Sequence, residues 1–159
     1  MAVARQTFTT LGYDGTTIGN IAHELDISKA AIAYYFPTKD TFLDEFVPPF
    51  LDALEAAVEA GNDPATALSG YLSALTNHHD IAVWMDTDPV LQGHPVHGAR
   101  LDRINQRTIA IVTGGSRKRK DHVRALGVLG GLWRPVRELE VADLEALHVE
   151  IVEAALVSY

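Results

Sequence analysis

The sequence predicts an all-α protein in which a three-helix N-terminal head precedes a larger helical bundle. Apolar residues recur with helical spacing along most of the 159 residues, and no useful stretch alternates apolar with polar residues as a strand does. Gly, Pro, Asn and Asp cluster at 12–15, 61–64, 86–95 and 114–116, where we expect loops. Short helices followed by long ones predict a head over 1–45 and a body over 46–159.

Composition and charge exclude several classes of function. The chain has 47% hydrophobic and 21% charged residues, which is typical of a folded protein, and it has no cysteine. A disulfide framework, an iron–sulfur cluster and a cysteine nucleophile are therefore excluded. No apolar run approaches the roughly 20 residues that cross a bilayer, so we expect a cytoplasmic protein with no membrane partner. The net charge of −8 disfavours a generally basic nucleic-acid binder, but a small head can bind DNA through a few contacts.

The helical pattern predicts helices over about 2–11, 17–24 and 28–35 in the head. A long helix is expected from Lys39 toward Ala60, and further helices over about 65–78, 80–86, 97–113, 117–137 and 142–157. Pro48 and Pro49 fall inside the long helix, where prolines remove hydrogen-bond donors. They indicate either a kink that follows the core or a hinge between head and body.

The stretch from Thr16 to Lys39 has the spacing of a helix-turn-helix. Asp26 and Ile27 are expected to form the turn, with Ile27 in the core, and Ser28 is a good N-cap for the second helix. An ordinary helical hairpin has the same spacing and stays open as an alternative. The residues expected to face the shared core are Ile18, Ile21, Ala22 and Leu25 on the first helix, and Ile32 with Tyr35 or Phe36 on the second.

The run from Gly12 to Phe46, GYDGTTIGNIAHELDISKAAIAYYFPTKDTFLDEF, resembles the DNA-binding head of the tetracycline-repressor (TetR/AcrR) family of bacterial transcriptional regulators. The resemblance includes the aromatic Phe8, the Gly-Tyr pair, the Thr pair and the Tyr-Phe-Pro-x-Lys sequence, and it covers about 45 residues. The rest of the chain matches only in being helical. The resemblance implies a head that reads the major groove of double-stranded DNA.

The resemblance also assigns DNA-binding roles to individual positions. Thr17 and Lys39 occupy positions that contact phosphates in the family, and Tyr34 and Tyr35 lie where it has a phosphate-contacting tyrosine. The spacing of Tyr35 from Ile32 nevertheless favours core packing. The predicted DNA-binding residues are Thr17, Ser28, Lys29, Ala30, Ala33, Tyr34, Tyr35 and Lys39.

Several departures from the family pattern point to few base contacts. Ala33 stands where the family often has tyrosine, Asp26 replaces a turn glycine, and Gly19 stands at an often polar position. Alanines cannot read base edges by hydrogen bonds, although they can pack on thymine methyl groups. The first helix begins late and the head carries a net charge of −3, so we expect a shortened first helix and weak DNA binding.

For the body, the resemblance implies a site for a small-molecule effector and a dimer formed by the last two helices. The predicted effector-binding residues are Tyr71, His78, Trp84, Met85 and His97, for which core packing is the alternative. Residues 113–137 carry a net charge of +6 and residues 138–159 carry −6. The two blocks would face each other within or across subunits, and in an antiparallel hairpin residues 117–124 would approach Glu150 and Glu153. The apolar stripes expected at the dimer surface are Val123, Leu126, Gly127, Gly130 and Trp133, and Leu144, Leu147, His148, Ile151, Ala155 and Leu156.

We therefore predict a ligand-responsive regulator, a repressor that binds a pseudo-palindromic operator as a homodimer and is released by an effector. No enzymatic activity, cofactor or bound metal is predicted. One alternative is a helical protein–protein adaptor whose head has lost DNA binding. Another is a metal-binding protein that uses His78, His79, His94 and His97. The basic run 117–120 could also be a second nucleic-acid surface.

Overall fold

The computed structural model describes residues 1–157, and this part of the chain is built from helices without any strand. The prediction of an all-α fold is confirmed. The helices are α1 (Ala2–Gly15), α2 (Ile18–Glu24), α3 (Lys29–Tyr35), α4 (Lys39–Phe46), α5 (Pro48–Ala60), α6 (Pro64–Asn77), α7 (His79–Thr87), α8 (Pro89–Gln92), α9 (His97–Val112), α10 (Arg119–Glu138), α11 (Val141–Ala146) and α12 (His148–Val157).

We call α1–α4 the head and α5–α12 the body. The head is organised around Phe8 of α1, which is fully buried. Its ring lies 5.7 Å from that of Phe42 and 5.4 Å from that of Trp84 in α7, measured between centroids. Because Trp84 belongs to the body, one hydrophobic core runs continuously from the head into the body.

The prediction of a single long helix from Lys39 toward Ala60 is wrong. The structure has two helices, α4 and α5, which meet at the fully buried Val47. Pro48 and Pro49 occupy the first turn of α5. A helix leaves the N–H groups of its first turn without intrahelical partners, so prolines cost little there, and the chain bends at Val47, whose own φ and ψ are helical.

The last predicted helix, 142–157, is also divided, into α11 and α12. Because only the short α11 separates α10 from α12, α12 runs back along α10. The two helices approach closely at Gly131, where an added Cβ would lie 3.2 Å from the Cβ of Ala155. A larger residue at Gly131 would push the helices apart.

None of the helices within residues 1–157 has the length and apolar character needed to span a membrane. Charged side chains are instead placed on the outside of the bundle. Arg100 of α9 forms ion pairs with Asp52 and Glu55 of α5, and Arg107 pairs with Glu59. These pairs fix α9 against α5 along one side of the body.

His97 lies at the contact between head and body, and its side chain is 5% exposed. Its Nε2 lies 3.0 Å from Asp44 Oδ1 of α4, and its ring stacks on that of His94 with 4.9 Å between centroids. Burial lowers the pKa of His97 from its usual 6.5, although the hydrogen bond to Asp44 acts in the opposite direction. The folded protein therefore favours the neutral imidazole.

We expect the protein to lose stability as the pH falls through about 6.5, because the unfolded chain then binds a proton at His97 more readily than the folded chain. Urea unfolding at about pH 7.5 and about pH 5.5 measures this loss. His97→Gln keeps a donor for Asp44 but cannot titrate, so its stability should fall less. His122→Gln, at an exposed position of α10, is the control and should behave as the unmodified protein. An equal fall in all three proteins would contradict the assignment to His97.

Candidate nucleic-acid interface

The helix-turn-helix begins with a reciprocal cap at α2. The Thr17 hydroxyl accepts the Asn20 N–H at 3.1 Å, and the Asn20 side-chain oxygen accepts the Thr17 N–H at 3.0 Å. Two N–H groups that the helix itself leaves without partners are thereby satisfied. Thr17 is exposed, and its hydroxyl also donates to the Asn20 side-chain oxygen, so its role as a phosphate contact stays a prediction.

The turn between α2 and α3 depends on Asp26, which has a φ of +52°. Asp is one of the few residues besides glycine that adopt this left-handed conformation readily. The expectation that Ile27 fills the core is wrong, since Ile27 is 48% exposed. Ile21 and Ile32, which are 0% and 5% exposed, already close the contact between the two helices.

Helix α3 presents a largely exposed surface. Ser28 caps it by accepting the Ala31 N–H at 3.1 Å, and Ile32 is the residue of α3 that is buried in the head. Lys29 and Ala30 are exposed, and Lys29 forms no hydrogen bond or ion pair within residues 1–157. Ala33 is half-buried, so it is less available than the sequence predicts. The outer side of α3 is thus an unoccupied helix surface.

Tyr34 and Tyr35 end this surface with two exposed rings. They are 81% and 74% exposed, and their rings meet edge to face with centroids 5.0 Å apart. The interpretation of Tyr35 as a core residue is therefore wrong. Phe36 takes the core position instead, stacked on Phe42 at 4.2 Å between centroids. Two phenol hydroxyls, a type of group that can donate to phosphate oxygens, are left on the outside of the head.

Lys39 joins the start of α4 to the end of α1. Its Nζ donates to the Tyr13 carbonyl oxygen at 2.7 Å and lies 4.2 Å from the centroid of the Tyr13 ring. The Tyr13 hydroxyl donates to Asp40, and burial together with this bond raises the pKa of Tyr13 to about 12. Lys39 is half-buried, so any phosphate contact comes in addition to a structural role.

Within residues 1–157, the five predicted effector-binding residues line neither of the two large cavities of the body described below. Tyr71, Trp84, Met85 and His97 are buried, and His78 packs near Phe50. The Tyr71 hydroxyl donates to Asn105 at 2.6 Å and accepts from the Trp133 indole at 3.1 Å. Burial raises the pKa of Tyr71. Effector binding by these five residues stays a prediction.

Two cavities in the body lie elsewhere. One, of about 580 Å³, lies between α5, α6 and α12 and is bordered mainly by small and apolar side chains, with Ser69 and His148 hydrogen-bonded at 2.8 Å on its wall. The other, of about 620 Å³, lies between α7, α9 and α10. Sequence reasoning missed both, because each depends on how distant helices pack and neither has a local motif. The second is lined in part by Asp86, Asn105, His122, Trp133 and Arg137.

The histidines do not form a metal centre in the part of the chain that is described. Over residues 1–157, no three His, Asp or Glu side chains converge in a way that could hold a metal ion. His79 bonds the carbonyl oxygen of Val136, and His94 and His97 contact the head. The metal-binding alternative therefore finds no support in their positions.

The outer side of α10 exposes several residues of the first apolar stripe that the sequence predicts. Val123 and Leu126 are 60% and 49% exposed, and an added Cβ at Gly127 or Gly130 would meet nothing within 4 Å. On the second stripe, by contrast, Leu144, Ile151 and Ala155 are buried within the protomer. Their role is to hold α11 and α12 on the bundle.

The expectation that residues 117–124 approach Glu150 and Glu153 is wrong within the protomer. No ion pair among residues 1–157 joins the two groups. Gly131 packs against Ala155, so the antiparallel register places the acidic residues of α12 beside the C-terminal half of α10. Arg124 lies a further seven residues toward the N-terminus, which is about 10 Å along the helix axis. The basic end of α10 therefore extends away from Glu150 and Glu153.

Comparisons with known proteins match this architecture. Residues 1–46 match the family model for bacterial regulatory proteins of the tetR family. No curated protein matches the chain. Among solved structures, the chain is similar to the TetR family transcriptional regulator PfmR from Thermus thermophilus, with 25% identity over 96% of this chain and 91% of that one and a TM-score of 0.72.

Two further solved structures share the fold at lower identity. The ketosteroid transcriptional regulator KstR2 of Mycobacterium tuberculosis is 19% identical over 98% of this chain and 90% of its own, with a TM-score of 0.74. SCO3833, a TetR transcriptional regulator family member from Streptomyces coelicolor, is 21% identical over 98% and 86%, with a TM-score of 0.73. The fold similarity extends over nearly the whole chain, beyond the head that the family model matches.

Proposed function

We propose that this chain, a DNA-binding transcriptional regulator of the TetR family, is a cytoplasmic repressor that binds a pseudo-palindromic operator as a homodimer. In this proposal residues 1–45 bind DNA, and residues 46–159 bind a small-molecule effector and form the dimer. The two heads would enter successive major grooves about 34 Å apart. An effector that binds better to a state with a different head spacing would release the operator.

The exposed surface of α3 is the observation that carries the DNA-binding part of the proposal. Lys29, Ala30 and Tyr34 lie on one exposed side of a helix whose other side is fixed by Ile32 and whose start is capped by Ser28. Lys29 and the two tyrosine hydroxyls supply donors for phosphates and bases, while the alanines offer only methyl groups. We propose few direct base contacts, with DNA shape contributing the remaining specificity.

The exposed apolar surface of α10 supports the dimer. Val123 and Leu126 stand beside Gly127 and Gly130, so another helix can approach the backbone closely there. A two-fold axis through this surface would bring α10 against its own copy, since a symmetric dimer uses the same patch on both subunits. The cavity between α5, α6 and α12 offers room for the effector, and an apolar wall with a few polar groups such as Ser69 and His148 is usual for small-molecule sites.

Selection from a random duplex library tests the proposal. The purified chain is incubated with the library at moderate salt, and the retained duplexes are sequenced. We expect an enriched palindrome whose half-sites are about one helical turn apart. No enriched motif would contradict the DNA-binding proposal and favour the adaptor function.

Replacing Lys29 should weaken binding to the selected operator and make it less dependent on salt. Affinity falls as the salt concentration rises, and each lost phosphate contact reduces the steepness of log affinity against log salt by about 1. We expect this change for Lys29→Gln in fluorescence anisotropy titrations at several salt concentrations. Lys118→Gln removes an exposed cation at the start of α10 and should leave the slope unchanged. An equal loss in Lys118→Gln would indicate that the basic segment 117–120 also binds DNA.

A charge on the outer side of α10 should dissociate the dimer. Leu126→Glu places a carboxylate where the two subunits would exclude water, so we expect the dimer dissociation constant to rise by about a hundredfold. Analytical ultracentrifugation over a concentration series measures it. Val96→Glu alters a residue that is 60% exposed next to the head contact and should leave the dimer intact. A dimer that survives Leu126→Glu would exclude this surface as the interface.

A further inference from the structure

Asp88, between α7 and α8, is a body residue whose carboxylate reaches into the head. It is 9% exposed. Its Oδ2 accepts the backbone N–H of Tyr13 at 2.7 Å and the indole N–H of Trp84 at 3.0 Å. Its Oδ1 accepts the N–H of Val90 at 2.9 Å and so caps α8. One carboxylate thus binds the head, the body and the start of a helix.

The end of α1 is shaped to receive this carboxylate. Gly12 has a φ of +74° and a ψ of 173°, a conformation that L residues rarely adopt. This kink presents the Tyr13 N–H to Asp88, and a Cβ on Gly12 would lie 3.2 Å from Asp88 Oδ2. A glycine is therefore required both by the backbone conformation and by the close approach of the carboxylate.

The contact continues from Tyr13 into the DNA-binding helices. The Tyr13 carbonyl accepts from Lys39 at the start of α4, and the Gly12 carbonyl accepts the N–H of Thr16, next to the cap of α2, at 3.2 Å. Asp88 is thereby connected by successive hydrogen bonds to the starts of two head helices. A displacement of the α7–α8 corner would be transmitted to both.

The other polar contacts between head and body are more exposed to solvent. The side chains of Arg5 and Asp80 are 35% and 46% exposed, and Asp44, which contacts His97, is 67% exposed. Water weakens such pairs, whereas a buried carboxylate that accepts several N–H bonds interacts strongly with each donor. Among the carboxylates in these contacts, that of Asp88 is the least exposed.

We propose that Asp88 is a positioning residue for DNA binding, which fixes the angle of the head on the body and hence the distance between the two heads of a dimer. The inference rests on the proposed function of a dimer on a palindromic operator. It also assigns the α7–α8 corner as the place where a change in the body would alter operator binding. Asp88 itself does not contact DNA in this proposal.

The test compares Asp88→Ala and Asp88→Asn with Asp63→Ala. Asp63 is a matched control, because it also precedes a proline and caps a helix, by accepting from Thr66 at 3.0 and 2.7 Å, but it has no contact with the head. Binding is measured on the selected operator, on operators with one or two base pairs added or removed between the half-sites, and on an isolated half-site.

We expect Asp88→Ala to weaken binding to the selected operator by about tenfold, comparable to the loss of a charge-assisted hydrogen bond. Its affinities across the spacing series should become nearly equal, and its half-site affinity should fall less than its affinity for the full operator because α3 is untouched. Asp88→Asn keeps one acceptor oxygen and should restore part of the spacing preference. An unchanged spacing preference in Asp88→Ala, as in Asp63→Ala, would overturn the proposal.

A measurement without DNA separates this inference from the proposed function. Hydrogen exchange of the Tyr13 amide and the NMR signal of the Trp84 indole N–H report the contact directly. We expect faster exchange at Tyr13 in both Asp88 variants and no change in Asp63→Ala. If the unmodified chain selects no operator, the proposed function fails, while the exchange data still decide whether Asp88 holds the head. Unchanged exchange in a folded Asp88→Ala would overturn the proposal independently of DNA.

Discussion

The packing of Phe8 between head and body is the contact on which the rest of the structure depends. The head helices α2, α3 and α4 have only seven or eight residues each, and helices of this length are not stable alone. They are held because Phe8 brings the aromatic rings of α4 together with Trp84 of the body. The head is therefore stabilised by a core that it shares with the body. Its outer surface does not contribute to this core.

The sequence predicted the head more accurately than the body for a local reason. The cap at Ser28 is signalled by the residue type itself, and this predicted cap is present in the structure. The error at Tyr35 arose because helical spacing alone does not show which of two adjacent apolar residues enters the core, and Phe36 takes that place by stacking on Phe42. The error at Ile27 has a different origin, since Ile27 lies in the turn and the contact between α2 and α3 is made by the buried Ile21 and Ile32.

The helix arrangement and the candidate sites of the body could be predicted from the sequence only in part. The exposed side of α10 follows from its apolar stripe and glycines, but the split into α4 and α5 and the register of α10 on α12 depend on tertiary packing. The body cavities have no sequence signature, because their walls come from three separated helices each. In the sequence, Asp88 has the pattern of an ordinary helix cap before a proline. Its contact with Tyr13 depends on the tertiary structure.

The alanine-rich outer side of α3 has a consequence for how the specificity of such a protein evolves. Alanine has the highest helix propensity, and Ala30 contacts little of the head, so most replacements there cost well under about 1 kcal/mol. New base-reading side chains could accumulate at this position before any loss of folding. Ala33 is half-buried, so a larger side chain there is more constrained by the head than one at Ala30.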